Sequence, residues 1–184
     1  MITHSARDGF NQLLQEAVKT SLSSSLENCF DMTILADQSA IDEKKIVILT
    51  IASLLFRATV MIYFTPDERA KMFFSRISRV PTDEMTEQGL FDAVAEYGNM
   101  CCGTLNRNLG QFFQYVGMST PNFIDRRSSS FLEAQNYGYT AHFQVDAGDD
   151  YRFYISLGVC NYAPLDFQVQ AQAEDTSTGE LELF

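Results

Sequence analysis

Histidine and basic residues are scarce in this chain. Only His4 and His142 are histidines among its 184 residues, so a histidine-rich metal centre is not expected. The four cysteines, Cys29, Cys101, Cys102 and Cys160, stand in no metal-ligand spacing. Cys101 and Cys102 are adjacent and lack the two-residue gap of a redox or zinc pair. Scattered in this way, the cysteines read as reduced thiols of a cytoplasmic protein. Lys and Arg number 13 against 24 Asp and Glu, a formal net charge of −11. That balance excludes nucleic acid and an anionic membrane surface as the main partner. No glycine-rich loop of the P-loop or dinucleotide-binding kind is present, so the chain has no local cradle for phosphate. No internal repeat stands out. The first eight residues turn polar at once and lack the apolar run of a secretory leader.

One apolar stretch is long, from Ile46 to Phe64. Arg57 interrupts it, Thr50, Ser53 and Thr59 add polar groups, and β-branched residues dominate it. Two buried strands joined by a turn account for it better than a membrane span, and no membrane insertion is expected. Apolar residues make up 46% of the chain, enough for a core. A single domain is expected over residues 1–173. Residues 174–184, acidic and rich in Ser and Thr, are expected to form a mobile C-terminal tail.

Periodicity sets out the elements. Phe10, Leu13, Leu14, Ala17, Val18, Leu22 and Leu26 recur at helical steps and predict a helix from Ala6 to Glu27. A short strand is expected near Met32–Ala36, then strands at Lys45–Ser53 and Leu55–Phe64 with both faces covered. Thr65, Pro66 and Glu68 form a capping box with proline at the first helical position. The helix they open runs to Ile77, and Pro81 breaks the chain. A long helix is expected from Asp83 to Phe113. Gly117 and Pro121 mark a connector. Strands at Tyr137–Val145 and Tyr151–Val159 form a hairpin, with Gly148 supplying the turn. A last strand is expected at Phe167–Gln172. The fold class is α+β: an antiparallel sheet of about five or six strands covered by helices, with the long helix exposed along one side.

The long helix carries an unusual face. Asp92, Glu96, Asn99 and Gly103 follow at steps of four, three and four, which puts them on one stripe, and Gly110 continues it. Leu90, Val94, Cys101, Leu105, Leu109 and Phe112 form the other side. Glycine inside a helix costs about 1 kcal/mol against alanine. Gly98 is assigned to close internal packing, and Gly103 lies beside Asn99 on the polar face. From the pattern alone, a solvated face with space-saving glycines is the plainer account.

The segment from Asp92 through Glu96 and Asn99 to Gly103 resembles the signature of the CheC/CheX/FliY phosphatases of bacterial chemotaxis. That signature is Asp or Ser, three residues, Glu, two residues, Asn, and a proline some twenty residues on. Asp92, Glu96, Asn99 and Pro121 stand at those spacings. Gly98 and Gly103 fit the CheX-type run, and the motif occurs once, as in CheX. The order of elements agrees over roughly Ile46 to Val159. The resemblance implies removal of phosphate from the aspartyl phosphate of a CheY-like receiver domain. It makes Glu96 and Asn99 the catalytic residues, Asn99 orienting the attacking water and Glu96 reaching the receiver's lysine. Asp92 and Gly103 become partner-binding residues. No cofactor or metal is expected on this chain; Mg²⁺ is expected on the partner receiver. A symmetric homodimer is implied, paired through a sheet end bearing Tyr151, Phe153, Ile155 and Phe167. The alternative is a non-catalytic binding module that docks a receiver or flagellar-switch protein. Cys101 and Cys102 are assigned to packing, with one of the two facing the core. Asp146, Asp149 and Asp150 belong to the hairpin turn, Arg126 and Arg127 to a solvated loop, and His142 receives no role.

Overall fold

The apolar run at residues 46–64 folds back on itself as two antiparallel strands, and the rest of the sheet is built out from them. The computed structural model of the protein describes residues 1–23, 30–129, 132, 134–148 and 151–170. Its elements are α1 (His4–Ser23), β1 (Phe30–Leu35), β2 (Lys45–Ala52), β3 (Phe56–Phe64), α2 (Glu68–Ser78), α3 (Glu87–Leu109), β4 (Gly117–Met118), β5 (Asn122–Asp125), a 3₁₀ turn at Arg126–Ser128, β6 (Tyr139–Ala147) and β7 (Tyr151–Asn161). The sheet order is β1-β6-β7-β3-β2-β4, with β5 also on β2, and every strand pair is antiparallel. The α+β architecture is as expected, with seven strands among the described residues where about five or six are expected from the sequence.

Alternation along the strands divides the two faces. Val47, Leu49, Ile51, Ala58, Val60, Ile62 and Phe64 point into one core with Phe10 and Leu14 of α1, Phe73 and Phe74 of α2, and Leu90, Val94 and Leu105 of α3. Ile46, Met61 and Tyr63 point to the other face, where Ile41 covers them. Both faces of this hairpin are therefore occupied, which explains why its sequence shows so few polar positions. No helix among the described residues is long and apolar enough to cross a membrane.

Several local expectations are corrected. The cap of α2 is Asp67, whose side chain accepts from the Ala70 N–H at 2.9 Å. The Thr65 hydroxyl is instead held by the Glu43 carboxylate, so Pro66 lies ahead of the helix. The signature helix is shorter at both ends. Thr86 caps it by accepting from the Gly89 N–H, and Gly110 closes it. The connector contains β4 and β5, short strands that exist by pairing with the edge of β2. Residues 167–170 form no strand; Phe167 turns its ring into Phe10, Phe112 and Phe113. The strand expected to offer an uncovered edge, β7, runs between β6 and β3, with Phe153 and Ile155 buried. The last strands at the two sides of the sheet are β1 and the β4–β5 pair. Gly148 sits at φ 71° in the hairpin turn, as expected. The end of the first predicted helix, Asp149 and Asp150, and the tail at 174–184 lie outside the described residues.

Candidate functional site

Helix α3 is pinned from below. Its buried arc comprises Leu90, Ala93, Val94, Tyr97, Gly98, Cys101, Cys102, Leu105 and Leu109. α1, α2 and β2 all contact the helix, so this arc is wider than a single stripe. At Gly98 an added Cβ would lie 2.8 Å from Leu49 Cδ1, so the helix sits close on β2 and any larger residue there requires the Leu49 side chain to shift. The Tyr97 ring meets Phe74 at 6.1 Å and Phe153 at 5.7 Å, both edge to face. Glu96 and Asn99 flank these two anchors on the outer side.

The expected stripe forms. Asp92 and Glu96 are exposed, and Asn99 and Gly103 are partly exposed. Asn99 Nδ2 donates to Glu96 Oε2 at 3.4 Å, which brings carboxylate and carboxamide side by side. That contact uses a donor of the amide and leaves its carbonyl oxygen available as an acceptor. Gln88 Nε2 donates to Asp92 Oδ1 at 2.8 Å, holding that carboxylate one turn nearer the start of the helix. Nothing lies within 4 Å of the position a Cβ would take at Gly103. The two glycines therefore differ in purpose: Gly98 admits the sheet, and Gly103 leaves free space beside Asn99. Pro121 directly precedes β5.

The site is a convex helix face, which suits a macromolecular partner better than a small substrate. The same line of α3 carries one further polar residue that the sequence reading did not single out. Asn106 stands three residues after Gly103 and four before Gly110, and so continues the same stripe. Its spacing was the available signal.

The remaining assignments divide. Cys101 and Cys102 are both buried, not one of them as expected, because α3 is covered on several sides. Burial pushes the Cys101 thiol up to about 12 and holds Cys102 well above its ordinary value. Such thiols are poor nucleophiles, in keeping with a packing role. Arg127 is exposed, whereas Arg126 lays its guanidinium over the Tyr63 ring at 5.5 Å and does not belong to a solvated loop. His142 Nδ1 pairs with Ser156 Oγ at 2.7 Å. Among the described residues, no group of three or more His, Cys, Asp or Glu side chains is placed to hold a metal ion.

An antiparallel sheet with α1, α2 and α3 packed against the same face is the fold of the solved CheC/CheX-like chemotaxis proteins. No family model matches the chain, and no curated protein matches it. Solved structures do. The CheX of Vibrio vulnificus superposes with a TM-score of 0.63 at 13% identity, over 83% of this chain and 99% of that one. CheX in a CheX–CheY–BeF₃–Mg²⁺ complex from Borrelia burgdorferi gives 0.62 at 18% identity, over 82% and 97%. A structure of a FliM–SpeE complex from H. pylori gives 0.60 at 9% identity, over 86% and 89%.

Proposed function

We propose that this chain is a protein phosphatase that hydrolyses the aspartyl phosphate of a CheY-like receiver domain. The observation that carries the reading is the pairing of Glu96 with Asn99 on the outer face of a pinned helix, beside the open space at Gly103. Phosphoryl transfer passes through a loose transition state, so placing the water counts for more than a strong base. The Asn99 carbonyl oxygen accepts a hydrogen bond from the water and sets it in line with the phosphorus. Glu96 engages the receiver's lysine and fixes the depth of insertion. Asp92 meets the receiver at the rim, and Gly103 gives its loops room. The receiver brings the phosphoryl group and its own Mg²⁺, which neutralises charge on the phosphoryl oxygens. A cytoplasmic homodimer goes with this reading. It is supported by the likeness to the CheX fold, one member of which is known in complex with CheY.

A second reading is a binding module of the same fold, which docks a receiver or switch protein without turnover. The likeness to the FliM-containing structure favours it. One experiment separates the two: phosphorylated receivers from the same organism are mixed with the protein and phosphate loss is followed. A phosphatase accelerates the loss, and Asn99→Ala removes about two to three orders of magnitude in rate while receiver binding persists. Glu96→Ala weakens both binding and turnover. Full activity of Asn99→Ala refutes the water-positioning role, and no acceleration with any receiver, alongside retained binding, leaves the binding module.

A further inference from the structure

The signature stripe does not stop at Gly103. Asn99 and Gly103 are followed at a two-turn interval by Asn106 and Gly110, so the same pair of residue types recurs along one line of the helix. From Asp92 to Gly103 the stripe is about 16 Å long at 1.5 Å per residue, and to Gly110 about 27 Å. A stable complex needs about 800 Å² from each partner, more than the first segment alone supplies.

The second segment opens onto a groove of about 560 Å³, whose lining includes Asn106, Gly110, Phe113 and Tyr115. Asn106 Oδ1 is buried there without a hydrogen-bond partner. With Oδ1 buried, a docked partner meets the Asn106 amide at its Nδ2 end, which is a donor. Tyr115 is 82% exposed and is held at φ 56°, a backbone region that side chains rarely adopt. A strained, exposed tyrosine at the mouth of a groove is a suitable aromatic anchor.

We propose that Asn106, Gly110 and Tyr115 form a second contact zone for the same receiver partner. A loop of the receiver lies along the glycine notches, hydrogen-bonds the Asn106 amide and packs an apolar side chain against Tyr115. This zone sets affinity and the choice of receiver, while Glu96 and Asn99 act on the phosphoryl group. The proposal rests on the receiver reading above.

Binding of receiver domains activated with beryllofluoride and Mg²⁺ tests it, together with turnover of the phosphorylated forms. Asn106→Ala gains helix propensity and Tyr115→Gly suits the positive φ, so both variants should melt no lower than the parent chain. Each is expected to weaken binding about tenfold, with the loss falling on KM rather than kcat. Unchanged binding in both variants, while Asn99→Ala still abolishes turnover, overturns the second zone and leaves the phosphatase reading standing. Failure of the parent chain to bind any receiver overturns both. Conversion of a dimer to a monomer by Asn106→Ala in light scattering shows that a second copy fills the groove, which also overturns the proposal.

Discussion

Gly98→Ala and Gly103→Ala add the same methyl group to the same helix, yet they should move stability in opposite directions. Replacing glycine by alanine inside a helix gains about 1 kcal/mol. At Gly103 nothing lies within 4 Å of the new Cβ, so that gain is realised in full. At Gly98 the methyl falls 2.8 Å from Leu49 Cδ1 and 3.6 Å from Ile62 Cδ1. Both neighbours are fully buried and have little room to yield. Overpacking of this kind costs about 1–3 kcal/mol, so the net effect runs from about zero to 2 kcal/mol of destabilisation. The two variants should therefore differ by about 1–3 kcal/mol in urea unfolding. In a chain of this size, Gly103→Ala should raise Tm by about 2–4 °C, while Gly98→Ala should leave it unchanged or lower it by up to about 8 °C. Gly103→Leu extends the test to function: stability stays near that of the parent while receiver docking is blocked by bulk. A loss of 1 kcal/mol or more in Gly103→Ala would refute the exposed-face reasoning. Equal stabilisation by both alanines would mean that α3 does not seat on β2 at Gly98.

Other expectations are shorter to state. Cys101 and Cys102 should resist a thiol reagent in the native protein and react only as it unfolds; rapid labelling before unfolding would contradict their burial. Burial lowers the His142 pKa from its ordinary 6.5, against the pull of Asp37 and alongside repulsion from Arg126. The unfolded chain then takes the proton first, so this contribution is intact above 6.5 and is lost as pH falls through the folded value. His142→Gln should flatten the fall of stability on acidification below that point, and an unchanged slope would show that other groups set it. Light scattering at tens of micromolar should give twice the chain mass of 20.8 kDa; the mass of a single chain would remove the homodimer.

Periodicity alone was enough to place Asp92, Glu96, Asn99 and Gly103 on one line of α3, because a helix imposes its 3.6-residue repeat whatever surrounds it. The same repeat put Gly98 and Gly103 on different faces of the helix. Strand alternation and the turn at Gly148 were equally local, and so was the hairpin of β6 and β7. Contacts between distant segments decided the rest. Thr65 looked like a cap until Glu43, from an earlier loop, took its hydroxyl and Asp67 took over the helix end. β4 and β5 carry no periodic signal and are strands because β2 offers them an unpaired edge. β7 lies inside the sheet, not at its end, since β3 pairs with its other side. Both cysteines are buried where one was expected, because α1 and α2 flank α3 above the sheet. Residue spacing determines which side chains share a face, since that depends only on the local backbone repeat. Which face meets solvent, which strand closes an edge and which cap wins depend on segments brought together from far apart in the chain, and only the tertiary structure could decide them.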